Sequence, residues 1–285
     1  MKMGMDETKK QQSERSNRET HKAVSIQIST EFSTLDFLKG GFSGGEVVVL
    51  GGRPSSGKTA LVIHISLHAA LEKGIPVLLF SLEMSKEMIS QRMLSSLTGI
   101  RTKDLQAGSL SPEDWPRLTS AAKALSEAPI YIMDSGETSA SEIASMGRSL
   151  NTQCGIGLII VDYIQLLHGG FSDGENNLIE ETMERLNALA KELQIPFLIL
   201  SQIRRPNSDG RDAKPSISRL NWRGNIEFYA DKVIFIHSED NGFEKETENG
   251  KGTEDVEVIV AKNRNGSVGT VKLAFRKSCG RFEET

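Results

Sequence analysis

The chain has 285 residues, of which 38% are hydrophobic and 25% charged, a composition typical of a globular protein with a sizeable core. Its net charge is −4, so any polyanionic partner must bind to a local basic patch. Two cysteines, Cys154 and Cys279, are too few for a disulfide framework and lack metal-ligand spacing. No apolar run is long enough for a membrane span, and the N-terminus lacks the apolar core of a signal peptide. These features predict a cytoplasmic protein without a membrane partner.

The first 24 residues are polar and show no apolar periodicity. They are either a tail without structure of its own, including an expression remnant, or a linker that docks on a neighbouring subunit. We expect a single domain over residues 25–285.

Short apolar strands alternate with helical patterns along most of this domain. The pattern predicts strands at 47–50, 76–80, 130–133, 158–161, 197–200 and 233–236. It predicts helices at 59–73, from Ser85 to about 97, from Ser111, and at 139–150 and 177–193. Such alternation is typical of an α/β fold with a mostly parallel central sheet flanked by helices. Residues 256–261 and 268–274 flank a glycine-containing turn and predict a C-terminal antiparallel hairpin that closes the sheet edge.

A glycine-rich turn follows the first apolar strand. Residues 52–59 read Gly-Arg-Pro-Ser-Ser-Gly-Lys-Thr and fit the phosphate-loop motif G-x-x-x-x-G-K-[ST] in its strand–turn–helix context. Glycines let the backbone approach phosphate oxygens, and the following helix presents its free N–H groups and positive dipole end to them. Lys58 adds a charge near the outer phosphates, and the Thr59 hydroxyl is suited to Mg²⁺. The alternative is a glycine turn with an incidental lysine, but strand, turn and helix together predict binding of a nucleoside triphosphate.

Three polar residues follow predicted strands and are expected at the same edge of the sheet as the phosphate loop. Asp162 could support the metal, and Glu83 could orient or deprotonate the attacking water. Gln202 could sense the γ-phosphate through a neutral amide. Taken singly, the three also fit a turn aspartate, an exposed glutamate and a loop glutamine. Together with the phosphate loop they predict hydrolysis.

Residues 202–224 are locally basic, with six Lys or Arg residues against two Asp residues, for a net charge of +4. The segment includes Arg211, Arg219 and Arg223, and it either forms a solvated face or binds a nucleic-acid backbone in a salt-dependent manner. Trp222 in the same segment either stacks on a base or packs on the domain.

Arg264 lies in the turn of the predicted hairpin, from which it cannot easily reach its own phosphate loop. An arginine supplied in trans stabilises the charge of phosphoryl transfer and contributes roughly 10³–10⁵ in rate. That interpretation requires a ring or a filament. The alternative is an exposed hairpin arginine.

Several segments of the chain together resemble one family. They are Ile28-Ser29-Thr30 with Leu35-Asp36, residues 52–59, 80–85, 160–166 (Ile-Val-Asp-Tyr-Ile-Gln-Leu), 200–202 and 261–266 (Ala-Lys-Asn-Arg-Asn-Gly). Over about residues 26–283 the chain is similar to the C-terminal motor domain of DnaB-type replicative DNA helicases. The resemblance implies a RecA-like P-loop NTPase fold, ATP and Mg²⁺ as cofactors, a hexameric ring, and 5′→3′ movement on single-stranded DNA.

The resemblance also implies roles for residues that match the family's motifs. Lys58 and Thr59 would bind phosphate and Mg²⁺, Glu83 would activate water, Asp162 would support the metal, and Gln202 would couple the γ-phosphate to the DNA loop. The implied nucleotide-binding positions are Arg53, Pro54, Ser55, Ser56, Gly57, Lys58, Thr59, Ala60 and Arg92, with Lys262, Asn263 and Arg264 reaching into the neighbour's site.

The implied DNA contacts are Asn221, Trp222, Arg223 and Gly224, with Arg219 and Arg211 nearby. Residues 220–227 align with a central-channel loop that in the family usually reads Leu-Arg-Glu-Ser-Gly-Ser-Ile-Glu. Here Asn221 and Trp222 replace the usual arginine and glutamate, and Arg223 could restore the charge one position later.

The family also carries a helical N-terminal domain that engages primase and builds a collar, whereas this chain begins almost directly at the motor. We therefore expect either a fragment or a phage, plasmid or mobile-element relative that works without the collar.

The leading hypothesis is an ATP-hydrolysing hexameric helicase that unwinds DNA at the replication fork of a bacterial or phage-infected cell, with primase or a helicase loader as further partners. The alternative is a RecA-like regulatory or recombination ATPase that binds DNA or protein without unwinding. A small-molecule kinase is disfavoured because the strand-end residues suit water activation.

Overall fold

The fold is built around one large sheet. A computed structural model describes residues 27–136, 138–167, 175–203, 214–220, 225–238 and 252–285, and for 37–39 and 175–177 the backbone alone. Two short strands, β1 (Gln27–Ile28) and β2 (Phe42–Ser43), pair with each other near the start of the described chain. The strands of the large sheet are β3 (Val47–Gly52), β4 (Val77–Ser81), β5 (Ile130–Met133), β6 (Leu158–Asp162), β7 (Phe197–Gln202), β8 (Lys232–Ser238), β9 (Glu254–Asn263), β10 (Gly269–Arg276) and β11 (Arg281–Glu284).

The strand order across this sheet is β11-β10-β9-β8-β3-β7-β6-β4-β5. Strands β8 to β5 in this order run parallel, and β9, β10 and β11 are antiparallel to their neighbours. Consecutive parallel strands need crossover connections, which the helices supply. The chain therefore brings the carboxyl ends of β3, β4, β6 and β7 to one edge of the sheet.

Helices cover both faces of the sheet. They are α1 (Ser33–Lys39), α2 (Lys58–Leu67, continued by a π-helical turn over His68–Glu72), α3 (Lys86–Thr98), α4 (Thr102–Ala107), α5 (Asp114–Glu127), α6 (Ala140–Cys154), α7 (Glu175–Leu193), α8 (Ile217–Leu220) and α9 (Ile226–Tyr229), with a 3-10 turn at Ile164–Leu166. No helix among the residues described here is long and apolar enough to cross a membrane.

Strand β3 shows how the sheet separates two cores. Val48 and Leu50 pack with residues of α2 and α3, whereas Val47 and Val49 pack with residues of α6 and α7 on the opposite face. All four side chains are at most 1% exposed. Successive side chains of a strand point to opposite faces, so a continuous apolar run is what a central parallel strand covered on both sides requires. The burial of β3 fixes the position of the loop that follows it.

Most predicted elements are confirmed, with two corrections. The hairpin forms as β9 and β10, but it does not close the sheet, because β11 pairs with β10 and stacks Phe282 on Phe275 at a centroid distance of 4.3 Å. Helix α5 begins at Asp114, and Ser111 is not its N-cap: the Ser111 hydroxyl donates instead to the Asp114 carboxylate at 2.7 Å. Ser85 does cap α3, accepting from the Met88 backbone N–H. The predicted tail at 1–24 lies outside the described residues.

Candidate active site at the carboxyl edge of the sheet

The phosphate loop joins β3 to α2, as the motif predicts, and its two motif glycines lie where a side chain would not fit. A Cβ atom on Gly52 would stand 2.5 Å from the Ser56 hydroxyl oxygen. Gly57 has φ +94°, and a Cβ atom there would stand 3.1 Å from Cζ of Phe282. L-residues rarely adopt that backbone conformation, which glycine tolerates. The loop is thus held tightly between α2 and the C-terminal strands.

Lys58, the first residue of α2, is buried beneath the loop. Its Nζ donates to the carbonyl oxygens of Gly52 at 3.0 Å and Arg53 at 2.8 Å. Burial lowers the pKa of Lys58 to about 8, while Asp162 and Glu83 act to raise it. An ammonium group has three N–H donors, so these two contacts leave one for a phosphate oxygen. The buried charge is suited to an anionic ligand.

Thr59 and Asp162 meet beside Lys58. The Thr59 hydroxyl donates to Oδ2 of Asp162 at 2.8 Å, across 103 residues of sequence. Burial raises the pKa of Asp162 to about 6, and the hydrogen bond from Thr59 and the charge of Lys58 oppose that rise. This contact joins the end of β6 to the start of α2.

These residues fit a magnesium ion that arrives with a triphosphate. Mg²⁺ prefers oxygen ligands and is usually held by one or two protein groups together with phosphates and water, and the Thr59–Asp162 pair is such a set. The buried hydroxyl oxygen of Ser56 has no hydrogen-bond partner among the described residues, which leaves a polar atom of the loop available to a ligand. Within the described residues, no group of three His, Cys, Asp or Glu side chains could hold a metal ion alone.

Glu83 lies just beyond the end of β4, at the same edge of the sheet. Its turn is fixed by a hydrogen bond from the Leu82 N–H to the Asp162 carbonyl at 2.8 Å and by one from the Ser81 hydroxyl to the Met84 carbonyl at 2.6 Å. The Glu83 side chain is exposed to solvent, and its charge influences the pKa values of both Lys58 and Asp162.

Arg92 lies on α3, which leaves the same turn. Its side chain is exposed, and its charge lowers the pKa of Asp162. The structure therefore brings Lys58, Thr59, Glu83, Arg92 and Asp162 together around one edge of the sheet. Of the remaining positions implied to bind nucleotide, Arg53 to Gly57 form the turn between β3 and α2, and Ala60 lies in the first turn of α2.

Gln202, the last residue of β7, is hydrogen-bonded to Gln165, to which the sequence analysis gave no role. Gln165 donates from Nε2 to the Ser201 hydroxyl at 2.7 Å and to the Gln202 carbonyl at 3.3 Å, and its Oε1 accepts from the Gln202 N–H at 3.2 Å. Gln165 follows Asp162 by three residues. Its signal in the sequence was its place in the segment 160–166, where it was given no role.

Lys262, Asn263 and Arg264 lie at the opposite edge of the sheet. Asn263 pairs with Lys232, which in turn pairs with Val48 near the start of β3, whereas the phosphate loop follows Gly52 at its end. The four residue steps from Val48 to Gly52 correspond to about 13 Å along the strand. Arg264 is therefore remote from the phosphate loop of its own chain, as its place in the hairpin predicts.

The DNA-contact positions are only partly described. Arg219 lies on α8, whereas Arg211, Asn221, Trp222, Arg223 and Gly224 lie outside the described residues. The residues that flank the 221–224 segment are anchored, because Leu220 and Ile226 are fully buried. Asn225 is also fixed: its backbone N–H and its side-chain amide both donate to Oε1 of Glu180, each at 2.9 Å.

Comparison with known proteins matches almost the whole described chain to one family. A family model described as the DnaB-like helicase C terminal domain matches residues 27–284. The replicative DNA helicase DnaB of Geobacillus stearothermophilus is 39% identical over 257 residues, covering 90% of this chain and 56% of that protein. The replicative DNA helicase DnaC of Bacillus subtilis (strain 168) is 38% identical with the same coverage. This chain thus spans little more than half the length of these curated relatives.

Solved structures agree with the sequence comparison. The ATPase domain of G40P superposes with a TM-score of 0.82 at 30% identity, with both chains fully covered. A DnaB-like replicative helicase, solved in a study of its interactions with primase, gives a TM-score of 0.81 at 30% identity over 99% of this chain and 67% of that one. The fold predicted from the strand and helix pattern is confirmed.

Proposed function

This chain belongs to the DnaB-like helicase C-terminal domain family, and from that membership we propose that it is the ATP-driven motor of a replicative DNA helicase. One observation carries the proposal: the phosphate loop, the Thr59–Asp162 pair and Glu83 lie together at one edge of the sheet, while Lys262 and Arg264 lie at the other. The first group can bind and cleave a triphosphate. The second lies away from that loop, which supports a role at the site of a neighbouring copy of the chain.

ATP is the proposed substrate. Loop N–H groups and Lys58 would hold its phosphates, and Thr59 and Asp162 would hold Mg²⁺. When bound, Mg²⁺ neutralises charge on the β- and γ-phosphate oxygens. Glu83 would orient a water for attack on the γ-phosphorus and accept its proton as the bond to the β-phosphate oxygen breaks. Gln202 would contact the γ-phosphate and transmit its loss to the segment that follows β7, and Arg92 would contact the nucleotide.

A ring completes the site. We propose a homo-oligomer, a hexamer, in which Lys262, Asn263 and Arg264 of one subunit approach the phosphates of the next. Charge supplied there would stabilise the phosphoryl-transfer transition state. Single-stranded DNA would pass through the centre against Asn221, Trp222, Arg223 and Gly224, with Arg219 and Arg211 nearby, and move 5′→3′. Primase or a helicase loader is the proposed further partner, and the cytoplasm of a bacterial or phage-infected cell the proposed location.

A forked-duplex unwinding assay with ATP and Mg²⁺ tests this proposal directly. The unmodified chain should displace the labelled strand, and Lys58→Ala should abolish both displacement and ATP hydrolysis because the phosphates lose their buried counter-charge. Persistent turnover by Lys58→Ala would remove the phosphate-loop assignment. An active, hexameric ATPase that leaves the fork intact would instead indicate a RecA-like regulatory or recombination ATPase.

A further inference from the structure

Asp231 connects the proposed trans-acting arginine to the strand that carries the phosphate loop. We propose that Asp231 is a positioning residue: it holds the Arg264 guanidinium, and with it the turn after β9, ready to enter the site of the neighbouring subunit. This inference rests on the proposed function, in which Arg264 acts in trans. It adds a residue outside the phosphate-loop motif, bonded to the first residue of β3 and not to the loop at the end of that strand.

The carboxylate of Asp231 is shared between two partners. Oδ1 accepts from Nη1 of Arg264 at 3.0 Å, and Oδ2 accepts from the backbone N–H of Val47 at 2.9 Å. The backbone of Asp231 makes the same two connections: its N–H donates to the Val47 carbonyl at 2.8 Å, and its carbonyl accepts from the Arg264 N–H at 3.0 Å. Asp231 is thus fixed to the first residue of β3 and in turn fixes Arg264.

The end of helix α9 completes the support. Nη2 of Arg264 donates to the Phe228 carbonyl at 2.8 Å, and Nζ of Lys262 donates to the Glu227 carbonyl at 2.5 Å. Carbonyl groups at a helix C-terminus lack intrahelical partners and attract cations. Both basic side chains that are proposed to act in trans therefore rest on one short helix, which begins directly after the segment 221–225.

The contacts with Asp231 and Phe228 leave the Arg264 guanidinium able to contact a group outside its own subunit. These contacts use two of the five N–H donors of a guanidinium, and the Arg264 side chain remains 45% exposed while Asp231 is only 14% exposed. A group held before its target arrives loses less conformational freedom on engagement. Misplacement of a catalytic group by about 1 Å can cost on the order of 100-fold in rate, so loss of this support should reduce turnover.

The test is Asp231→Asn, which keeps the size of the side chain and removes its charge. We expect the kcat of the assembled ATPase to fall about 10- to 100-fold, with KM for ATP within about twofold of the unmodified protein. Asp104→Asn is the matched control, because it breaks the exposed Arg101–Asp104 pair away from Arg264 and should leave kcat unchanged. A kcat of Asp231→Asn within about twofold of the unmodified value overturns the inference.

Subunit mixing separates an effect on Arg264 from an effect on the variant's own phosphate loop through Val47. An Asp231→Asn subunit next to a Lys58→Ala subunit forms a site with an intact phosphate loop and a correctly held Arg264, so the mixture should regain activity. A mixture of Arg264→Ala and Lys58→Ala should recover in the same way. Recovery of the second mixture alone overturns the role of Asp231, and recovery of neither overturns the trans site itself. If Asp231→Asn does not fold, Asp231→Glu, which retains both oxygens but displaces the guanidinium, takes its place.

Discussion

Gln165 holds the end of β7 with both atoms of its amide group. Its nitrogen donates to Ser201 and to the Gln202 carbonyl, and its oxygen accepts from the Gln202 N–H. Gln165 itself follows the strand that ends in Asp162, so the proposed metal-side carboxylate and the proposed γ-phosphate sensor are linked through one side chain. A displacement of the end of β6 should therefore displace the end of β7, and the reverse.

Gln165→Ala should lower the kcat of ATP hydrolysis about tenfold, because Gln202 loses the contacts that fix its backbone and a small displacement of a catalytic group is costly. We also expect the preference for a non-hydrolysable ATP analogue over ADP to shrink, since the proposed partner of Gln202 is the γ-phosphate. Steady-state kinetics and equilibrium binding measure the two effects. Gln153→Ala is the control: it removes a surface glutamine that donates to Ser149 at 2.9 Å and should alter neither. An unchanged analogue preference would contradict a link to the sensor.

At the level of elements, the start of β3 is a junction for four parts of the chain. Nζ of Lys232, on β8, donates to Oε2 of Glu46 at 2.6 Å and to the Gly41 carbonyl at 3.0 Å. Glu46 also accepts from the Ser43 N–H at 3.0 Å and from the Asn265 side chain, in the turn after β9, at 3.1 Å. Lys232 and Glu46 are 2% and 9% exposed. The strand that carries the phosphate loop is thus tied to the turn that carries Arg264.

Glu46→Gln should destabilise the fold by about 3–5 kcal/mol, since removing one partner leaves the buried Lys232 charge uncompensated. Chemical denaturation measures the loss. Glu192→Gln is the matched control, because the Arg148–Glu192 pair is exposed and its removal should have a much smaller effect. The double variant Glu46→Gln with Lys232→Met should recover part of the stability. A Glu46→Gln protein as stable as the unmodified chain would show that the pair does not hold the junction.

Local sequence patterns predict those parts of the candidate site that a single short segment forms. The motif at residues 52–59 specifies the backbone conformation of the phosphate loop. The parallel strand order then brings Glu83 and Asp162 to the same edge of the sheet as the loop. Contacts between distant segments escape such reasoning: Gln165 lies 36 residues from Ser201, and Asp231 lies 33 residues from Arg264. Strand β11 was missed for a different reason: it follows β10 closely, but its only apolar residue is Phe282, which packs against Phe275, so it shows no apolar run.

For the whole molecule, the charge distribution limits how the proposed motor could bind DNA. The chain carries a net charge of −4, yet residues 202–224 carry +4. Single-stranded DNA would be repelled by most of the surface and drawn to one basic segment. In a ring, copies of this segment would face a common centre and add their attraction. The proposed motor therefore depends on the placement of its basic residues and not on their number.

Reversing the charge of this segment gives the last test. The triple variant Arg211→Glu, Arg219→Glu and Arg223→Glu should weaken binding to single-stranded DNA at least tenfold at low salt. The plot of log affinity against log salt concentration should flatten by about 2, at roughly 0.7 per lost phosphate contact. Fluorescence anisotropy over a salt series measures both effects. Reversing the exposed Lys103, Lys123 and Lys277 changes the net charge equally and is the control. If both triple variants weaken DNA binding alike, the overall charge governs binding and the segment is a solvated face. A loss confined to the arginine variant places the DNA against residues 202–224.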